Sequence, residues 1–183
     1  MWGRKKYSGK DVLIFLDIDG VLNTSNSFNT KYEIFDTNVV AFGKLCAGLV
    51  KMGHTPKVIL TSTWRLGFDS EHEKCSEQIK RLIAKLDVVG ISIVGKTPVY
   101  KEKTRDMEIM RFIREYQLKE ADFTYIILDD DISIFDKNVL KEMNYYKVNQ
   151  NTGLTVKDVE RILKMVRGSS GGMNERSINN VRI

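Results

Sequence analysis

Asp17 and Asp19 stand two residues apart in Asp17-Ile18-Asp19-Gly20-Val21-Leu22-Asn23, directly after the apolar run Val12-Leu13-Ile14-Phe15-Leu16. A continuous apolar run reads as a central strand of a parallel sheet, and the carboxyl end of such a strand is where an open α/β sheet places its ligands. Carboxylates spaced by two leave a strand on the same side, where they repel each other and raise a pKa. A divalent cation removes that repulsion and gives the pair a purpose. Gly20 permits the tight turn that brings backbone close to a bound anion. The chemistry these types point to is phosphate handling.

Asp-rich strand ends also serve as plain loop caps, and two further segments decide between the readings. Lys57-Val58-Ile59-Leu60 is a second short apolar strand that ends in Thr61-Ser62-Thr63-Trp64-Arg65. Tyr125-Ile126-Ile127-Leu128 is a third, ending in Asp129-Asp130-Asp131. Three apolar strands that each terminate in groups suited to phosphate or metal are hard to explain as three unrelated caps. Trp64 and Arg65 carry two readings, one in which they stack a base and grip a phosphate, the other in which Trp64 packs under the next helix.

These residues together resemble the haloacid dehalogenase-like (HAD) superfamily of phosphatases, over about residues 11 to 150. The resemblance implies that Asp17 is the nucleophile, Asp19 the general acid and base, and Thr61 or Ser62 the phosphate-binding hydroxyl. It implies Asp129 and Asp130 as Mg²⁺ ligands, joining Asp17 and Asp19 in the metal site. A Lys or Arg ahead of the last motif completes such a set: Arg105 fits the spacing, Lys103 is a near competitor and Lys96 a weaker one. Within the superfamily, Asp17 to Asn23, Thr61 to Arg65, Arg105 with Glu108-Ile109, and Ile127 to Asp131 are similar to the HAD domain of Swiss Army Knife RNA-repair proteins. The implied chemistry is a phospho-aspartate on Asp17 that water then hydrolyses, which splits one hard step into two. Asp19 would protonate the leaving oxygen, and Mg²⁺, Arg105 or Lys103, and Thr61 would offset phosphoryl charge. An all-oxygen ligand set suits Mg²⁺ better than zinc.

The elements that must position these groups follow from period and caps. Thr37 caps a helix carrying Val40, Leu45 and Leu49 that stops at Gly53, and His72 opens the flank of another with Cys75, Ile79, Leu82 and Leu86. Thr104 begins a third with Ile109, Phe112, Ile113 and Tyr116; Asn138 to Asn144 form a short one; Thr155 and Asp158 read as a capping box for the last. Further strands fall at Ile91 to Val94 and Tyr146 to Asn149. Alternation of strand and helix predicts an α/β, Rossmann-like parallel sheet covered on both faces. The stretches from Asp17 to Thr61 and from Thr61 to Arg105 leave no room for a cap domain, so the expected site is open and admits bulky phosphates.

At 183 residues and 42% apolar composition the chain can bury a core without disulfides. Cys46 and Cys75 lack CxxC spacing and read as core residues, and His54 and His72 lack metal-ligand spacing. Neither a membrane span, a signal-peptide apolar region nor a Walker A segment is present, which predicts a cytoplasmic protein without kinase activity. Residues 1–10 form a basic arm of Arg4, Lys5, Lys6 and Lys10 without an acid; with a 168–183 tail of Arg176 and Arg182 against Glu175, it accounts for the whole net charge of +5. The arm is suited to nucleic-acid phosphates, or is a solvated terminus. Gly168 to Gly172 reads as a flexible linker to the tail, leaving 11–167 as the domain. The expected function is a Mg²⁺-dependent phosphomonoesterase acting on polynucleotide (RNA or DNA) ends; the alternatives are a small-molecule nucleotidase and a non-catalytic nucleic-acid or protein-binding module of the same fold.

Overall fold

β1 (Asp11–Leu16) is buried at every position, as its unbroken apolar run requires of a strand covered on both faces. In the computed structural model, which describes residues 10–24, 33–100, 104–115, 124–140 and 143–169, it is the middle strand of a five-stranded parallel sheet in the order β3-β2-β1-β4-β5. The others are β2 (Thr55–Leu60), β3 (Ile93–Lys96), β4 (Thr124–Asp129) and β5 (Tyr145–Lys147). The helices are α1 (Asp36–Lys51), α2 (Glu77–Val88), α3 (Arg105–Glu115), α4 (Lys137–Leu140) and α5 (Val156–Ser169). The fold class expected from the sequence is what the chain adopts.

Alternate side chains of β1 feed two cores. Val12, Ile14 and Leu16 pack with Phe42, Leu45 and Leu49 of α1, Leu82 and Leu86 of α2, and Ile162 of α5. Leu13 and Phe15 pack with Ile109, Phe112 and Ile113 of α3, the Phe15 and Phe112 rings meeting edge to face with centroids 5.6 Å apart. The chain builds β1, β2 and β3 outward, then crosses back to lay β4 on the free side of β1. That reversal makes the carboxyl ends of β1 and β4 the switch point where such sheets bind ligands.

Several local expectations shift by a few residues. Thr37 lies inside the first turn of α1; the cap position is Phe35, whose N–H donates to the Leu22 carbonyl at 3.0 Å, so tertiary backbone contact replaces a side-chain cap. His72 sits in a separate 3₁₀ turn, His72–Lys74, and Ser76 caps α2 by accepting from the Ile79 N–H. β3 lies two residues later than expected because its pairing with β2, Ile93 opposite Val58 and Lys96 opposite Leu60, fixes its span. The Thr155 and Asp158 capping box is present: the Asp158 carboxylate accepts from the Thr155 N–H at 2.9 Å and Thr155 Oγ1 from the Asp158 N–H at 3.4 Å. α5 runs through Gly168 to Ser169, past the expected domain end at 167. Among the described residues no extra folded unit stands over the carboxyl edge of the sheet. No helix among them is long and apolar enough to cross a membrane. Arg4, Lys5, Lys6, Tyr116 and the tail beyond Ser169 lie outside the described residues.

The loop after β5 is tied down by a buried amide. Asn38 Nδ2 donates to the carbonyls of Thr152 and Leu154, each at 2.9 Å, and the Leu154 N–H donates to the Val21 carbonyl at 2.8 Å. Gly153 between them has φ +62° and a Cβ there would meet Asn38 at 2.6 Å. Asn38→Ala should therefore strand two carbonyls and lower stability by about 1–3 kcal/mol, read as a drop in the denaturant midpoint at unchanged m-value; an unaltered midpoint would show that the loop does not need this anchor.

Candidate functional site

Asp17, Thr61 and Asp129 lie where strands end and are held there by neighbouring strands. The Asp17 N–H donates to the Leu128 carbonyl at 2.9 Å, the Thr61 N–H to the Leu16 carbonyl at 3.0 Å, and the Val148 N–H to the Asp129 carbonyl at 3.0 Å. The sheet ladder thus continues one residue beyond the strands and fixes the backbone of Asp17, Thr61 and Asp129 in one row. Tyr145 adds a further tie, its hydroxyl donating to the Asp129 carbonyl at 3.0 Å.

Asp17, Asp129 and Asp130 bring carboxylate oxygens within 4.8 Å of one another. Arg105, at the start of α3, reaches into them: its Nη1 donates to Asp17 Oδ1 at 2.7 Å and to Asp129 Oδ2 at 3.0 Å. Burial works against the Arg105 charge, but Asp17 and Asp129 more than offset it and hold its pKa above the usual value. The carboxyls are less well served. Burial pushes Asp17 up to about 6 against the pull of Arg105, and burial together with the Asp17 charge pushes Asp129 up to about 8. Asp130 is also raised, mainly by burial.

Charge arithmetic makes the cluster fit a cation. Two carboxylates 4.8 Å apart repel by about 3 kcal/mol at an effective dielectric constant of 20, and one guanidinium faces three of them. An all-carboxylate set suits a hard divalent cation with a preference for oxygen. The sheet also spends a glycine on the arrangement. Gly20 has φ +74°, and a Cβ there would lie 2.3 Å from Asp130 Cγ.

Asp19 is exposed and its carboxylate is not one of the clustered oxygens. Asp19 was expected in the metal site; its carboxylate is instead engaged by neighbours, Oδ1 accepting from Asn23 Nδ2 at 2.8 Å and Oδ2 from Trp64 Nε1 at 2.9 Å. It stands beside the cluster, exposed to solvent, where its charge acts on Asp17. Asn23 Oδ1 in turn accepts the Gly20 N–H at 2.7 Å. The Gly20 amide is thus engaged within its own turn, and the residue serves to seat Asp130 instead of touching an anion.

Thr61 is fully buried, and its Oγ1 has no hydrogen-bond partner among the described residues. An orphaned buried hydroxyl costs about 1–3 kcal/mol, a cost that an anionic oxygen would remove. Ser62 Oγ instead accepts from the Trp64 N–H at 3.3 Å and caps a 3₁₀ helix, Thr63–Gly67. Trp64 and Arg65 are both 5% exposed, so neither presents a free surface to a base or a phosphate. Arg65 Nη1 donates to the carbonyls of Thr61 and Ser62, and Nη2 meets Glu108 Oε2 at 2.6 Å. Burial lowers the Arg65 pKa in spite of Glu108. Both residues hold others: Trp64 orients Asp19, and Arg65 ties the turn after β2 to α3. Lys96 is also committed, donating to the carbonyls of Arg65 at 3.0 Å and Phe68 at 2.6 Å. Lys103 lies outside the described residues.

Asn23, Glu108 and Tyr145 are the site residues to which the sequence assigned no role. Two left a signal. Asn23 is a polar residue closing the turn after Val21-Leu22, and Glu108 stands one helical turn after Arg105 on a face otherwise made of Ile109, Phe112 and Ile113.

Comparison with protein-family models matches residues 13–159 to the HAD domain in Swiss Army Knife RNA repair proteins. No curated protein matches the chain.

The raised carboxyls give a stability signature. A carboxyl whose folded pKa exceeds its unfolded value of 3.8 keeps a proton that the unfolded chain releases, so stability is fully present below about pH 4 and lost as pH rises toward the folded pKa. With Asp17 near 6 and Asp129 near 8, the thermal midpoint in chelator should fall between about pH 4 and pH 8. A divalent cation at 100 times its Kd should return about 2.7 kcal/mol at the upper end. A midpoint insensitive to both pH and cation would remove the metal reading.

Proposed function

The chain belongs to the family of HAD domains found in Swiss Army Knife RNA repair proteins, and from that we propose that it is a Mg²⁺-dependent phosphomonoesterase working through a phospho-aspartate on Asp17. The observation that carries the reading is the Arg105 guanidinium shared between Asp17 and Asp129 at the switch point of the sheet, beside the unpartnered Thr61 hydroxyl. Arg105 favours the ionised form of Asp17, which the reaction needs. Asp17 Oδ attacks phosphorus, an acyl-phosphate bond forms, and the bond from phosphorus to the leaving oxygen breaks. Asp19, exposed and held by Trp64 and Asn23, gives a proton to that oxygen and then takes one from the water that hydrolyses the acyl-phosphate. General acid–base help of this kind is worth about 10² to 10⁴ in rate. Mg²⁺ on Asp17, Asp129 and Asp130 would offset phosphoryl charge alongside Arg105 and Thr61.

The favoured substrate is the terminal phosphate of a polynucleotide. Support comes from the family and from a carboxyl edge without a covering unit among the described residues. Cys46 and Cys75 are free and buried, and burial pushes the Cys46 thiol up to about 12; unreactive reduced thiols accord with a cytoplasmic location.

Asp17→Asn should lower turnover of an aryl phosphate by about 10³-fold or more while removing one of the repelling charges, so its thermal midpoint in chelator should equal or exceed that of the parent. Activity within about tenfold of the parent would exclude Asp17 as nucleophile. Asp130→Ala should raise the Mg²⁺ concentration for half-maximal activity, measured by titration after chelator treatment.

A further inference from the structure

A cleft of about 560 Å³ opens from the acid cluster between the turn after β4 and the loop after β5, lined by Asp130, Asp131, Lys147, Asn149, Gln150 and Asn151. Asp130 is both a wall of the cleft and a member of the cluster, so a phosphate held at the cluster has this space beside it. We propose that the cleft holds the terminal nucleotide of a single-stranded substrate as the leaving group, with Lys147 meeting the next phosphodiester and the carboxamides of Asn149 and Gln150 the sugar and base edge.

The walls are built before a ligand arrives. Lys147 is paired in register with Asp129, and the Asp129 carbonyl accepts the Val148 N–H. Asn149 closes its turn through its own oxygens, Oδ1 accepting from the Asn151 N–H at 3.0 Å and its carbonyl from Thr152 and Gly153. Asn38 and Val21 then pin the far side of the loop. What this leaves is a set of groups facing solvent. Lys147 is exposed and makes no ion pair among the described residues, although Asp131 stands on the opposite wall; Asp131 Oδ1 accepts the Ser133 N–H. The Gln150 carboxamide and the Asn149 amide nitrogen make no hydrogen bond among them either.

Position favours this cation over Lys10. Lys10 precedes β1, six residues from its carboxyl end, which places it a strand length of about 20 Å from Asp17. Lys147 ends β5 on the same edge of the sheet as the cluster. A strand whose end is seated at Asp17 therefore reaches Lys147 before Lys10. A mononucleotide has no second phosphate to offer it, so the cleft selects a polymer.

This inference rests on the phosphatase reading for its substrate, and a binding measurement separates the two. Fluorescence anisotropy of labelled single-stranded oligonucleotides, phosphorylated at either end, is followed against salt for the full chain, Lys147→Ala, Lys147→Arg and Gln150→Ala. Lys147→Ala should weaken binding about tenfold, the worth of one hydrogen bond to a charged group, and reduce the log–log salt slope by about 0.7; Lys147→Arg should restore both. The ratio of kcat/KM on the oligonucleotide to that on p-nitrophenyl phosphate should fall in Lys147→Ala and Gln150→Ala, through KM. An unchanged affinity and slope in Lys147→Ala, or no binding by the parent chain, overturns the cleft even where p-nitrophenyl phosphate is hydrolysed. Loss of binding in Lys147→Ala by a chain that hydrolyses no phosphate upholds the cleft and overturns the phosphatase.

Discussion

Arg105 supplies one positive charge to three carboxylates whose oxygens lie within 4.8 Å of one another, and this imbalance is the constraint that the carboxyl edge of the sheet is organised around. Left to relax, buried like charges separate or take up protons. The backbone prevents separation, because Asp17 and Asp129 are locked to neighbouring strands by ladder bonds beyond the strand ends, and Gly20 lets Asp130 close in. Protonation is the response left to the cluster without a cation, and the raised pKa values of Asp17 and Asp129 express it. A fold that holds such repulsion in place is pre-organised for a ligand that relieves it.

The placement of Arg105 depends on a second buried charge pair. Glu108, one turn along α3, meets Arg65 at 2.6 Å with both side chains 6% exposed. Removing one partner of such a pair strands the other and costs about 3–5 kcal/mol. Glu108 also accepts the Tyr100 N–H at 3.2 Å. The approach to α3 and the turn after β2 are therefore fastened to the same carboxylate, and Arg105 enters the cluster from a helix that cannot slide along the sheet.

How much of this was legible in the sequence depends on the range of the interaction. The strands and their order of chemistry were readable because an apolar run followed by Asp-x-Asp-Gly, Thr-Ser or Asp-Asp is a local pattern, and a parallel sheet collects its strand ends on one edge. Arg105 fitted the spacing that the resemblance implies, with Lys103 left as a near competitor. The roles of Trp64 and Arg65 were not legible: a Trp-Arg pair after a strand looks the same whether it faces substrate or core, and what decides it is Glu108, 43 positions away, and Asp19, 45 positions away. The Thr37 cap failed for the same reason, since Leu22 supplies the carbonyl that receives the Phe35 N–H. The cleft after β5 was invisible because its shape comes from Asn38, 114 positions from Thr152.

The fate of the cations then bears on how phosphate charge is met. Arg65 and Lys96, both plausible phosphate ligands by sequence, direct the two Nη atoms of Arg65 and the Lys96 ammonium to Glu108 and to backbone carbonyls of the turn after β2, while the buried Arg65 Nε has no hydrogen-bond partner among the described residues. Their work is to hold Thr61 and Trp64 in place. Arg105 is itself shared between two carboxylates, both through Nη1, so Asp17 and Asp129 already meet part of its charge. A divalent cation on these carboxylates would offset the negative charge that a single guanidinium leaves unmet.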